Sequence, residues 1–181
     1  PLVLAVGPEN YLASKAIRLI RETLRGEFAE LAVSEIPEGE YSAGSLFDYA
    51  SPSLFAEPRL VIIQGAGEGL LEDLKQLAEN PVDSCTVIVR LPNMVGHSGK
   101  IRKELAKQAL SVSCEELKKD AERIDFVKRE FSARGVPIEQ PAIRALVGAF
   151  ASDLGELGAA CSQLSSTHAK VSLQDVELAF G

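Results

Sequence analysis

Leu2-Val-Leu-Ala-Val6-Gly7-Pro8-Glu9-Asn10-Tyr11-Leu12 is the stretch on which the fold turns. Five consecutive apolar residues, two of them valine, suit a strand covered on both faces. Gly7-Pro8 ends it, because proline has no N–H for a ladder and fixes its own φ. From Asn10 the period changes. Leu12, Ala16, Leu19, Ile20 and Leu24 fall on one helical face, and Arg18, Arg21, Glu22 and Arg25 on the other. The pattern predicts a helix over 10–25, with Gly26 as its stop.

Working outward, the alternation repeats. Leu31 to Ile36 reads as a second strand, Ser45 to Ala50 as a short helix, and Leu60 to Ile63 as a third strand. Leu70 to Glu79 is helical, with Leu70, Leu71, Leu74 and Leu77 inward. Cys85 to Leu91 is a fourth strand, ended by Pro92-Asn93. A helix is expected from about 99 to 108, then a short strand near Leu110 to Cys114. Strands alternating with helices imply an α/β fold, a mainly parallel sheet in three layers.

Past residue 115 the strand signal stops. Leu117, Ala121, Ile124, Val127 and Phe131 mark one amphipathic helix, closed by Arg134-Gly135 and Pro137. Pro141 is a good first-turn residue for a second, which carries Ile143, Leu146, Val147 and Phe150. Leu154, Leu157, Cys161 and Leu164 mark a third. Ser172-Leu-Gln-Asp175 reads as a capping box for a fourth, with Val176 and Phe180 inward. The expected organisation is an α/β domain over 1–115 and a small all-helical bundle over 116–181. That is the outline of an AAA+-like sheet domain with its helical lid.

The 181 residues carry a net charge of -7, which argues against a surface that grips nucleic acid all round. Residues 97–134 run the other way, with ten Lys or Arg against seven Asp or Glu. Solvated helix faces with interleaved Glu are the ordinary reading of that block. An edge skimming a phosphate backbone is the alternative. Cys85, Cys114 and Cys161 are odd in number and far apart, as expected of reduced, buried thiols in the cytoplasm. No apolar run is long enough for a membrane span, and no signal peptide is visible. Without an initiator Met, the chain reads as a fragment of a longer protein.

An AAA+ outline calls for ATP chemistry, and the residues for it are missing. A phosphate loop needs Gly-x4-Gly-Lys-Ser/Thr after the first strand, so that N–H groups cradle phosphate, Lys meets its charge and a hydroxyl holds Mg²⁺. Here Gly7-Pro8-Glu9-Asn10-Tyr11-Leu12 stands in that place. Pro8 removes a donor and Glu9 repels phosphate. Strands expected to end in Asp-Glu end in Gln64-Gly65 and Arg90-Leu91. Gly155 occupies the lid position where an ATPase places an arginine. Gly96-His-Ser-Gly99-Lys100 imitates a phosphate loop, but Met94 stands at its first glycine and Ile101 at its hydroxyl. His97 and His168 read as surface histidines, and no nucleophile elbow occurs. No cofactor, metal or catalytic residue is expected.

Ser51-Pro52-Ser53-Leu54-Phe55 is the remaining candidate. Two prolines, at 52 and 58, keep this segment out of regular structure. Leu54 and Phe55 there turn inward as a plug or outward as an anchor for another protein's pocket.

Together these features resemble the δ subunit of the bacterial DNA polymerase III clamp loader. The resemblance runs through the degenerate turn at Gly7–Leu12 and through Ser53-Leu54-Phe55 followed by Arg59-Leu-Val-Ile-Ile63. It continues through Thr86 to Leu91, Lys100 and Leu105, Arg134-Gly135-Val-Pro-Ile138, Asp153-Leu154, and Val171 to Glu177. It departs at Ser51, where clamp-binding peptides tend to carry Gln, at Pro52, where a larger apolar residue is common, and at Gly155.

The resemblance implies a non-catalytic subunit that binds the sliding clamp (the β subunit) through Ser51, Pro52, Ser53, Leu54 and Phe55. Such a subunit opens the ring for loading onto DNA and leaves ATP to other subunits. It also implies that Leu54 and Phe55 face outward. The other clamp-loader subunits would be met mainly through a collar domain absent here. DNA contact would be weak or indirect, with no membrane partner. A divergent ATPase using the Gly96–Lys100 turn, and an AAA+-like adaptor with another partner, are the alternatives.

Overall fold

The structure, a computed structural model, describes residues 1–52 and 54–181. Ser53 lies outside the described residues. The chain divides into two compact units, Pro1–Glu116 and Leu117–Gly181.

In the first unit the strands are β1 (Leu2–Val6), β2 (Ala32–Ile36), β3 (Arg59–Gln64), β4 (Cys85–Leu91) and β5 (Leu110–Ser113). They pair in parallel in the order β2-β3-β4-β1-β5. Parallel neighbours need crossovers, and helices supply them. These are α1 (Asn10–Glu27), α2 (Ser45–Ala50), α3 (Leu70–Glu79) and α4 (Gly96–Leu105).

The inward residues sort the helices onto two faces. Leu4, Val61, Ile63, Val87 and Val89 pack with Leu46 of α2, Leu70 and Leu74 of α3, and Ile101 and Leu105 of α4. Val3, Leu60, Ile62 and Ile88, on the opposite pleat, pack with Ile17 and Ile20 of α1. The sheet is therefore the middle of three layers, and its central strands are mostly apolar because both faces are covered, with Thr86 and Arg90 of β4 as buried polar exceptions.

Several boundaries differ from expectation, among them the end of α4 at Leu105 and the start of α5 (Asp120–Ala133), and two of them turn on glycines. α1 continues through Gly26 to Glu27. Gly26 does not adopt the positive φ of a helix-ending glycine, and the helix closes at Phe28, whose N–H donates to the Leu24 carbonyl. α4 begins three residues early, at Gly96. A Cβ on Gly99 would stand 2.3 Å from the Met94 carbonyl oxygen, so this glycine permits the tight entry into the helix and is not part of a loop.

The second unit holds α5 (Asp120–Ala133), α6 (Gln140–Ala149), α7 (Leu154–Thr167) and α8 (Leu173–Phe180). Val127, Phe131, Ile143, Leu146, Leu157, Cys161, Leu164 and Val176 fill its core. Side chains cap the starts of α5, α7 and α8, while α6 opens on Pro141 in its first turn with no side-chain cap. Glu122 Oε2 accepts from the Lys118 and Lys119 N–H groups, at 2.9 Å each, and Asp153 Oδ1 accepts from Glu156 N–H at 2.9 Å. Ser172 and Asp175 form a reciprocal box. A single parallel bridge, Ile138 with Val171, adds a short backbone pairing that the helical periodicity did not announce. Phe150 and Phe180 meet edge to face at 5.2 Å.

Candidate functional site

Two features of the first unit bear on function, and they lie on opposite edges of the sheet. At the carboxyl edge, β1 enters the Gly7 turn. In open α/β sheets this edge, where the strand order reverses, is the usual ligand crevice. Here the backbone fills it. The Gly7 N–H donates to the Leu91 carbonyl at 3.0 Å and the Glu9 N–H to the Cys114 carbonyl at 2.8 Å, while Cys114 N–H donates back to Val6 at 2.6 Å. Pro8 has no N–H. The Glu9 carboxylate accepts from Tyr11 N–H at 3.0 Å, so a fixed anion occupies the start of α1. A helix start with its own carboxylate offers little to a phosphate.

Two residues hold this turn shut. Gly7 has φ 129, and a Cβ there would stand 2.3 Å from the Cys114 carbonyl carbon and oxygen. Arg90, 5% exposed, lies beneath the turn. Its Nη1 donates to the Gly7 carbonyl at 2.5 Å and the Ala5 carbonyl at 3.3 Å, and its Nη2 to Asn10 Oδ1 at 3.4 Å. Burial draws its guanidinium below the usual arginine value, an effect that nearby Cys114 and Glu9 oppose. The same Cys114 thiol is pushed up, first by burial, and Cys85 likewise. Cys85, Cys114 and Cys161 are all buried, and none of them is in a disulfide.

The other expected positions of ATP chemistry are also occupied by ordinary contacts. Gln64 closes β3 by donating to Glu35 Oε1 at 3.0 Å. Gly155 is the second residue of α7. Gly96 to Lys100 lies within α4, and Ile101 is fully buried. Among the described residues no group of three or more His, Cys, Asp or Glu could hold a metal. Among them, too, no helix is long and apolar enough to cross a membrane.

At the amino edge, the chain leaves α2 and enters β3 through residues 51–58. α2 is fixed by buried Leu46 and Ala50. Ser51 ends it: its N–H and Oγ both donate to the Phe47 carbonyl, at 2.9 and 2.5 Å. At the far end, Ala32 N–H donates to the Pro58 carbonyl at 2.9 Å and Arg59 N–H to the Ser84 carbonyl at 2.7 Å.

Between these fixed points Leu54 is 101% exposed and Phe55 84%. Ala56 follows at φ 52, the one non-glycine residue in left-handed backbone among those described. Such a conformation is costly for alanine and marks a segment shaped by more than its own comfort. Phe28, Tyr49 and Pro58 add partly exposed apolar surface to this edge. An open, shallow groove lies between Phe28, Phe55 and Pro58.

The structure thus leaves Pro52, Leu54 and Phe55 exposed to solvent, while Ser51 serves as the end cap of α2. Ser53 lies outside the described residues. Sequence reasoning missed three residues. Arg90 reads as the polar end of a strand, and only its i, i+2 alternation with the buried Ile88 hints at an inward side chain. Arg59 reads as the solvent end of β3, yet its Nη1 donates to the Tyr49 carbonyl at 2.9 Å. A second unanticipated tie is Asp73. It accepts from the Tyr41 hydroxyl at 2.5 Å and from Gly44 N–H at 2.6 Å, and Tyr41 is raised well above the usual phenol value, first by burial and then by Asp73.

A model of the family described as DNA polymerase III, delta subunit, matches residues 4–115. Among solved structures, the chain is similar to the Bacillus subtilis DNA clamp loader delta protein (YqeN), with 21% identity and a TM-score of 0.75. That match covers 98% of this chain, which spans only 57% of the Bacillus protein. A mutant RuvB of Thermotoga maritima shares the fold at 14% identity and TM-score 0.51, over 97% of this chain and 60% of RuvB. No curated protein matches the sequence. With the family model covering most of the chain, over the sheet and turn just described, the chain belongs to the DNA polymerase III, delta subunit family.

Proposed function

We propose that this chain is the clamp-engaging part of a clamp-loader δ subunit, with Leu54 and Phe55 as its anchors in a sliding clamp. The carrying observation is their near-complete exposure on a loop fixed at both ends. Two large apolar side chains held in water have much to gain from a pocket, about 1.5–3 kcal/mol each on full burial. Aromatic and aliphatic anchors of this kind form the centre of binding hot spots. Ser51, Pro52 and Ser53 complete the segment.

The work done is mechanical. Docking opens a ring only if the open form binds better, because a ligand shifts an equilibrium by its differential affinity. The chain itself neither binds nor hydrolyses ATP, a reading supported by the occupied N–H groups at Gly7 and Glu9, the carboxylate of Glu9 and the buried Arg90. The unit Leu117–Gly181 is the counterpart of an ATPase lid. Other loader subunits are met mainly through a collar domain beyond this span, DNA contact is weak, and the setting is the cytoplasm.

The test is titration of the purified clamp with this chain, with Mg-ATP titrated separately. Micromolar clamp affinity and no heat from Mg-ATP are expected. Absence of clamp binding at high micromolar concentration defeats the reading, and micromolar nucleotide binding defeats its second half.

A further inference from the structure

The loop that carries Leu54 and Phe55 has its two stems joined by one side chain. Arg59 is the first residue of β3, paired with Ala32 and Cys85 and tied through its N–H to Ser84. From there its guanidinium reaches back ten positions, and Nη1 donates to the Tyr49 carbonyl in the last turn of α2. The last carbonyls of a helix lack partners within it and carry partial negative charge. A long, planar, permanently charged donor suits them.

We propose that Arg59 is a positioning residue for clamp docking. By clasping the end of α2 to the start of β3, it sets the direction in which Leu54 and Phe55 project and removes loop freedom that docking would otherwise have to freeze. Restraint of this kind strengthens binding without adding a contact. The inference rests on the reading of Leu54 and Phe55 as clamp contacts.

Arg59→Met keeps most of the apolar stem and removes the donor. Clamp affinity, amide hydrogen exchange over residues 51–58, and melting temperature are measured on the full chain, for wild type, Arg59→Met, Arg59→Lys, Phe55→Ala and the double variant Arg59→Met/Phe55→Ala. Arg59→Met is expected to weaken binding roughly tenfold, the scale of one hydrogen bond from a charged donor. Its exchange should accelerate within 51–58 and not across the sheet, and Arg59→Lys should recover part of the affinity. Most of the weakening should vanish when Phe55 is already Ala, because coupled residues are non-additive.

Wild-type affinity and exchange in Arg59→Met overturn the proposal. So does an equal loss with and without Phe55, which would make Arg59 a clamp contact in its own right. Failure of the wild-type chain to bind the clamp is a different result, and overturns the docking reading itself.

Discussion

At the scale of single residues, exposure separates the two roles of large side chains. Leu54 and Phe55 contribute almost nothing to the core, so Leu54→Ala/Phe55→Ala should leave the melting temperature within about a degree of wild type. On the proposed docking, the same change removes both anchors from the clamp, and at 2 kcal/mol or more apiece affinity should fall roughly 10³-fold. A melting curve beside a clamp titration checks both halves. A large drop in melting temperature would mean that the pair belongs to the core. Arg90 shows the opposite behaviour. Arg90→Met strips the charged donor from the Gly7 and Ala5 carbonyls in a buried place. A loss of about 2 kcal/mol is expected, or several degrees in melting temperature by calorimetry. Mg-ATP should bind no better, because the N–H groups of the turn stay occupied.

At the scale of elements, the start of α8 has a pH dependence with a fixed sign. Asp175 Oδ2 accepts from the Ser172 N–H at 2.8 Å and the Ser172 hydroxyl at 2.7 Å, with His168 Nε2 at 3.6 Å from its other oxygen. The Ser172 backbone first, then its hydroxyl, then His168 hold the carboxyl below the ordinary aspartate value. A depressed carboxylate stabilises the fold above its unfolded-state value and loses that contribution as pH falls through the folded value. The melting-temperature gap between wild type and Asp175→Asn should therefore be steady at pH 5 and shrink toward about pH 2. A gap that widens on acidification would contradict the assignment. This cap was legible in the sequence, as were β1, α2, α3 and β4, because each is decided by neighbours along the chain: a hydrophobic period, a proline, a Ser-x-x-Asp. The places where reading and structure part are decided by distant atoms. Gly99 looks like a loop residue until the Met94 carbonyl is placed against it. Arg90 looks like a strand end until β1 comes alongside and supplies carbonyls from more than eighty residues away. Arg59 makes its tie to Tyr49 only once the loop between them has closed. At the candidate site, Pro52 and Pro58 made an irregular segment readable, but nothing local said whether Leu54 and Phe55 face in or out.

At the scale of the whole molecule, the two units have separate hydrophobic cores, so the fragment 1–116 should fold alone and bind the clamp within roughly twofold of the full chain. The fragment 117–181 should not bind it. Circular dichroism and the same clamp titration test this, and a fragment 1–116 that folds yet fails to bind would mean that the second unit contributes contacts. The net charge of -7 sets one more expectation: duplex DNA should be held weakly, and salt should abolish the binding. The knitted turn at Gly7 also bears on protein engineering. Writing a phosphate loop back into this scaffold is a problem with no gradual route. A lysine introduced in α1 would face the Glu9 carboxylate and the Arg90 guanidinium. Changing Glu9 alone uncaps α1, and changing Arg90 alone leaves two carbonyls short of a donor. Exchanging Pro8 restores one N–H beside two that the carbonyls of Leu91 and Cys114 already hold. The Glu9 and Arg90 intermediates are expected to be less stable than their parent and none of the single changes to gain nucleotide affinity, so directed evolution by single steps should stall where simultaneous redesign of the turn and both flanking strands can proceed.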